Sequence, residues 1–161
     1  MNEKPSAAVL TLSDQGAAGR REDTSGPAIR ERLAELGIAI GDHAIQSDDS
    51  DAIVARLREW VAQGLDLIVT TGGTGFGPRD NTPEATKRVI EREAPGLAEL
   101  MRAEGLSKTP MAALSRGICG IAGSTLIINL PGSERAVREN LDALAPVLPH
   151  ALQLIAGDTE H

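Results

Sequence analysis

Four aspartates and three glycine-bearing segments hold the residue types that could carry out chemistry in this 161-residue chain. Asp14 lies in the first segment, Ser13 to Gly19. Asp80 closes the second, which runs from Thr71 through Gly72-Gly73-Thr74-Gly75, and Asn129 to Ser133 forms the third around Pro131-Gly132. Asp48 and Asp49 sit apart in Ser47-Asp48-Asp49-Ser50. Without a side chain, glycine lets backbone N–H groups close on a phosphate, and a following helix N-terminus adds about half a positive charge. Carboxylates beside such loops suit Mg2+, which takes one or two of them and completes its shell with phosphate oxygens and water. The combination predicts a metal and phosphate site bordered by Asp14, Asp48 or Asp49, and Asp80. Judged singly, Asp48, Asp49 and Asp80 are more often helix caps than metal ligands. Their recurrence at three strand ends is what points to chemistry.

Stock nucleotide motifs do not account for the glycines. A P-loop needs Gly-Lys-Ser/Thr, and here Gly77 precedes Pro78 and Arg79. The dinucleotide fingerprint needs a third glycine where Pro78 stands, and belongs in the first strand-helix unit instead of the third. His43, His150 and His161 are scattered, and none falls in a loop with Ser13 or Ser115, so no nucleophilic triad is visible. Cys119, in an apolar run, reads as a small buried hydrophobe. Arg79, Lys108 and Arg116 are candidate anion binders, although any one such residue is more often a solvated surface charge.

The elements that must position these residues alternate. Ala7 to Leu12 reads as a central strand, and Thr24-Ser25-Gly26-Pro27 opens a first helix through Ile29, Leu33 and Leu36 that Gly37 closes. Ile38 to Ile45 is a strand, Ile53 to Val61 a second helix ending near Gly64, and Leu65 to Thr70 the next strand. Thr82-Pro83-Glu84 starts a third helix to about Glu91, and Pro95 to Glu104 a short extra one. Ala113 to Ile121 and Thr125 to Leu130 form an edge hairpin around Gly123-Ser124. A C-terminal helical region follows, with Val137, Leu141, Leu144 and Leu148 inward and a break at Pro149. Such alternation predicts an α/β, three-layer fold with a mostly parallel sheet, helices on both faces and a small edge hairpin. In such sheets ligands gather beyond the carboxyl ends of the strands, where the three glycine segments begin.

Composition narrows the function classes. A net charge of −7 and only two aromatics, Trp60 and Phe76, argue against nucleic-acid binding. Residues 70–116 nevertheless carry 7 basic and 6 acidic groups, against 7 and 12 before them and 2 and 5 after. The middle third is therefore the place to meet a small anion. One cysteine excludes an internal disulfide, no apolar run approaches the roughly 20 residues of a membrane span, and Met1 to Ser6 lacks a signal-peptide stretch. The expectation is one cytoplasmic domain over 1–161, off the membrane.

Leu12-Ser13-Asp14, Asp23-Thr24-Ser25-Gly26-Pro27, the long block from Thr70 through Gly77-Pro78-Arg79-Asp80-Asn81 to Thr86, Leu114-Ser115-Arg116 and Asn129-Leu130-Pro131-Gly132 resemble the MogA/MoaB molybdenum cofactor biosynthesis family. The resemblance covers nearly the whole chain and extends to related domains such as that of gephyrin. It implies a molybdopterin-binding α/β fold, a homotrimer or hexamer, and contacts with other molybdenum cofactor biosynthesis proteins. It also implies molybdopterin adenylyltransferase activity, with ATP and molybdopterin as substrates and Mg2+ as cofactor. Carried over by residue, it places the molybdopterin and its phosphate at Ser13, Asp14, Thr71, Gly72, Gly73, Thr74, Gly75, Ser115, Pro131 and Gly132. Catalysis and metal binding fall to Asp80 and Asp48, with Asp49 as the alternative after a one-residue slip. Two departures stand out: Ser47 where the family often has proline, and Asn81 where valine is common. The competing reading is a non-catalytic MoaB-like molybdopterin-binding protein. A generic nucleotide-binding oxidoreductase is a third, already weakened by the missing fingerprint.

Overall fold

A computed structural model describes residues 3–158. His161 and the first two residues, on which part of the sequence reading rests, lie outside the described residues. Six strands form one sheet in the order β2-β1-β3-β6-β5-β4. β1 (Ser6–Leu12), β2 (Ala39–Gln46), β3 (Leu67–Thr71) and β6 (Thr125–Leu130) run parallel, while β5 (Cys119–Ala122) and β4 (Arg92–Glu93) are antiparallel to their neighbours. Of these, β1, β3 and β6 are inner strands and almost wholly buried, which is why they read as unbroken apolar runs. β2 alternates in exposure as an edge strand does.

Two hydrophobic cores flank the sheet, because successive side chains of a strand point to opposite faces. Ala7 and Val9 of β1 pack with α2 (Ser25–Glu35), α5 (Pro95–Leu106), α6 (Glu134–Leu144) and α7 (Leu148–Ile155) on one face. Ala8, Leu10 and Leu12 pack with α3 (Ser50–Ala62) and α4 (Thr82–Lys87) on the other. Trp60 of α3 is fully buried there, and its indole N–H donates to Asp42 Oδ2 at 3.0 Å. This is the expected three-layer α/β architecture.

The register matters for function. Thr11 pairs with Thr71, Thr71 with Leu130, and Leu12 with Gln46. Four parallel strands therefore end level, and the turns starting at Ser13, Ser47, Gly72 and Pro131 open side by side.

Some boundaries differ from expectation. A one-turn helix, α1 (Asp14–Ala17), interrupts the first glycine segment, capped by Ser13 Oγ accepting from the Gly16 amide at 3.0 Å. α4 stops at Lys87 instead of near Glu91, because the Glu91 amide turns away to donate to the Ile121 carbonyl at 2.8 Å and leads into β4. The segment expected as a strand from Ala113 begins instead as a 3-10 turn over Pro110–Leu114, and β5 starts only at Cys119. The hairpin at Gly123 exists, but its second strand lies inside the sheet, with β4 outermost. The C-terminal region splits into α6 and α7 with Pro149 in the first turn of α7, where proline costs no hydrogen bond.

Candidate active site

The turn after β3 depends on two glycines in left-handed backbone, Gly72 at φ 94° and Gly73 at φ 69°. A Cβ on Gly72 would strike the Leu12 carbonyl, and one on Gly73 would strike Thr82 Oγ1 and come 3.1 Å from Asp48 Oδ1. Thr82, first residue of α4, fastens the turn: its hydroxyl donates to the Gly72 carbonyl at 2.9 Å and its amide to the Gly73 carbonyl at 3.1 Å. Arg116 fastens the rest. Its amide donates to the Thr74 carbonyl (2.8 Å), its Nε to the Gly75 carbonyl (2.7 Å) and its Nη2 to the Asp80 carbonyl (2.8 Å), while Nη1 pairs with Glu84 at 2.6 Å. That bond holds the Glu84 carboxyl below its usual range. Asp80 Oδ2 accepts the Gly77 amide at 2.8 Å, so the acid and the glycine turn are mutually braced.

Across the crevice, Asp14 and Asp48 bond reciprocally. The Asp48 amide donates to Asp14 Oδ1 at 3.0 Å, and the Asp14 amide to Asp48 Oδ2 at 3.2 Å. Arg79 forks onto Asp14 with Nε and Nη2 each at 3.0 Å, and that contact lowers the Asp14 carboxyl to about 2. Asp48 moves the other way. Burial, reinforced by the Asp14 and Asp80 charges, raises its carboxyl above the ordinary range. Its Oδ1 is buried and has no hydrogen-bond partner.

The third turn is tied to the end of β3 and to the start of α2. Thr71 Oγ1 donates to the Pro131 carbonyl at 2.6 Å, and Ser25 Oγ to the Gly132 carbonyl at 2.7 Å. Beneath it, Asn129 Nδ2 donates to Thr70 and Thr86 hydroxyls, both at 3.0 Å, and joins β3, β6 and α4 in one buried network.

Two cavities open over these turns. One of about 640 Å³ lies toward α5, the 3-10 turn and α6, lined by Thr74, Gly75, Met101, Arg102, Lys108 and Ser115 among others. The other, of about 560 Å³, lies toward α1 and β2 and is acidic, with Ser13, Asp14, Asp23 and Asp48 in its wall. Gly72, Gly73, Asp80, Gly132 and Ser133 line both, so the cavities meet over the glycine turn.

Comparison with known proteins agrees with this arrangement. Residues 8–150 match the family described as "Probable molybdopterin binding domain". The chain is 44% identical over 153 residues to the molybdopterin adenylyltransferase of Helicobacter pylori, covering 93% of this chain and 87% of that protein.

The chain belongs to the molybdopterin-binding family.

A longer member, the Drosophila melanogaster molybdenum cofactor synthesis protein cinnamon, is 48% identical over 154 residues, and the chain spans only 25% of its length. Among solved structures, that of the molybdopterin biosynthesis enzyme MoaB of Thermus thermophilus superimposes with a TM-score of 0.90 at 54% identity, covering 94% of this chain and 96% of that one.

Within this family member, the candidate acids, serines, threonines and glycine-turn residues line the two cavities, Asp49 excepted. Ser13, Asp14, Asp48 and Thr71 face the acidic cavity; Thr74, Gly75, Ser115 and Pro131 face the other; Gly72, Gly73, Asp80 and Gly132 stand between. Asp49 lines neither: it caps α3, its Oδ2 accepting the Ala52 amide at 2.9 Å. The candidate anion binders part company. Arg79 is committed to Asp14, Lys108 lies in the larger cavity beside Glu104 and Glu139, and Arg116 serves the loop. Sequence reasoning named Ser25 and Asn129 only as parts of longer segments and gave no role to Arg102, whose guanidinium holds the Gly117 carbonyl at 2.8 Å. Each acts on a segment remote in sequence, so no local signal marks it.

Among the described residues no group of three or more His, Cys, Asp and Glu could hold a metal ion. Asp48 and Asp80 fit Mg2+ bound together with substrate: both offer hard oxygens, and Asp48 Oδ1 is buried without a hydrogen-bond partner. No helix of the described residues is long and apolar enough to cross a membrane.

Proposed function

We propose that this chain is a molybdopterin adenylyltransferase of molybdenum cofactor biosynthesis. A phosphate oxygen of molybdopterin bonds to the α-phosphorus of ATP, the bond from that phosphorus to the α–β bridging oxygen breaks, and pyrophosphate departs. The observation that carries this reading is the junction of the two cavities at Gly72, Gly73, Asp80, Gly132 and Ser133. Two phosphorylated molecules, one in each cavity, bring their phosphates together there, against backbone amides and beside two acids. Such transfer needs no protein nucleophile, because positioning and charge neutralisation supply the acceleration. Relatives named molybdopterin adenylyltransferase support the same reaction.

In this reading the Gly72 to Gly75 turn, Pro131 and Gly132 cradle phosphate, and Ser13 and Ser115 border the substrates on either side. Thr71 acts through the Pro131 carbonyl that it holds. Asp48 and Asp80 hold Mg2+, which would offset the negative charge of the polyphosphate, and Asp14 keeps Asp48 in place. The remaining expectations, a cytoplasmic single-domain unit that assembles as a homotrimer or hexamer and meets other cofactor-synthesis proteins, belong to the same proposal. Leu106, Met111 and Leu114, exposed on α5 and the 3-10 turn, support association, and sedimentation as a monomer at micromolar concentration would contradict it.

Purified protein given molybdopterin, ATP and Mg2+ should release pyrophosphate, and Asp80→Asn should abolish turnover while sparing molybdopterin binding. Molybdopterin binding without any Mg2+-dependent ATP affinity or turnover selects the non-catalytic binding protein instead.

A further inference from the structure

Asn81 occupies the N-cap of α4 yet makes no side-chain capping bond, although asparagine is among the best side chains for that task. Its Nδ2 donates instead to the backbone carbonyl of Asp48, at 3.1 Å and 33 residues away. The other polar atoms of Asp48 are held by Asp14: the amide through Asp14 Oδ1 and Oδ2 through the Asp14 amide. Only Oδ1 is left, buried and without a partner. A residue fixed at its amide, its carbonyl and one carboxylate oxygen has its last oxygen aimed. Asn81 is also the covalent neighbour of Asp80, so this one bond spans the two acid-bearing turns.

We propose that Asn81 is a positioning residue for a divalent cation: it ties the Asp48 turn to the Asp80 turn and sets the spacing at which one ion reaches both carboxylates. The inference deepens the transferase reading and rests on it for the ion's companion, ATP, but the tether and the ion stand apart from the transfer chemistry. Spacing matters because Mg2+ tolerates little departure from octahedral geometry, and a working site holds its ligands to about 0.5 Å. Asn81 carries no charge, so its removal disturbs placement and leaves the electrostatics of the acids in force.

Two variants separate the tether from helix capping. Asn81→Leu keeps the volume and removes the donor, whereas Asn81→Ser offers α4 a capping hydroxyl but is too short to reach the Asp48 carbonyl. The binding of Mn2+ is measured by water-proton relaxation with and without ATP, beside the unfolding midpoint and the hydrogen exchange of the Asp48 amide. Both variants should bind Mn2+ about 3- to 10-fold more weakly, as befits one lost hydrogen bond, and both should exchange the Asp48 amide faster. Asn81→Ser should do so at an unchanged unfolding midpoint. Wild-type Mn2+ affinity in Asn81→Ser, or in both variants, overturns the inference, as does a wild type that binds no Mn2+ in either condition. Binding of Mn2+ by the wild type with no affinity for ATP, weakened in both variants, refutes the transferase reading and leaves the tether standing.

Discussion

Asp14 and Asp48 hold each other through backbone and side chain at once, amide to carboxylate in both directions, yet their carboxyl groups are pushed to opposite sides of the ordinary value. The difference lies in what else they meet. Asp14 is exposed and answered by the Arg79 fork, while Asp48 is buried and faces two like charges.

Stability should record this opposition. Asp14, lowered to about 2 from 3.8, binds fewer protons folded than unfolded, so its contribution is present above pH 3.8 and lost as pH falls toward 2. Asp48 is raised, so the folded state binds more protons and stability drains away as pH rises through the ordinary carboxylate range and above it. Asp48→Asn should therefore unfold at a higher temperature than the wild type at pH 7, and the gap should close as the pH falls below the ordinary carboxylate range. The same variant should lose pyrophosphate release. Melting curves at neutral and acid pH check the sign, and an equal gap at both would show that the charge of Asp48 is not the cause.

Gly73→Ala should damage both fold and site. Left-handed backbone costs a non-glycine residue roughly 1–2 kcal/mol, and the new methyl must also displace the Thr82 hydroxyl that fastens the turn. A total loss of about 2–4 kcal/mol is expected from urea denaturation. Gly37→Ala serves as the control, since its φ of 81° carries the backbone cost but its Cβ would meet nothing within 4 Å. Gly73→Ala should be the more damaging of the two by at least about 1 kcal/mol.

The contrast between these glycines marks how far the sequence could be read. Inner strands were legible because burial on both faces leaves unbroken apolar runs, as at Ala7 to Leu12 and Thr125 to Leu130. Helix starts were legible from proline in the first turn, as at Pro83 and Pro95. β4 was not, since Arg92 and Glu93 are exposed charged residues made into a strand only by their pairing with Ile121 and Gly120. Asp48 and Asp49 are chemically identical neighbours. The backbone sends Asp49 onto the α3 amides and Asp48 into the cavity, a choice that no composition encodes. Arg116 looked like any surface cation because its partners, the carbonyls of Gly75 and Asp80, lie some forty residues upstream.

Arg116→Lys tests that role. Lysine keeps the charge but has one donor centre where the fork of Arg116 serves two carbonyls and Glu84. Stability should fall by about 1–2 kcal/mol, and the KM for ATP should rise more than kcat falls, because the loop that receives phosphate is loosened while the acids remain. Steady-state pyrophosphate release measures the split. A variant with unchanged KM would mean that the fork is dispensable to the loop.

Asn129 offers the largest effect away from the cavity walls' charges. It donates to Thr70 and Thr86, both fully buried, and its Oδ1 accepts the Ile118 amide at 3.2 Å. Asn129→Ala strands one amide, whose desolvation alone costs about 1–3 kcal/mol, and removes the shared partner of two hydroxyls. A loss of about 3–4 kcal/mol is expected. Thr86→Val, which removes one acceptor and fills its space, should cost about 1 kcal/mol. Because α4 carries Thr82 at its start and Thr86 one turn later, loosening Asn129 should also reach the glycine turn. Denaturation of the two single variants and the double variant tests the coupling. Additive losses would mean that Asn129 and Thr86 do not work as one unit.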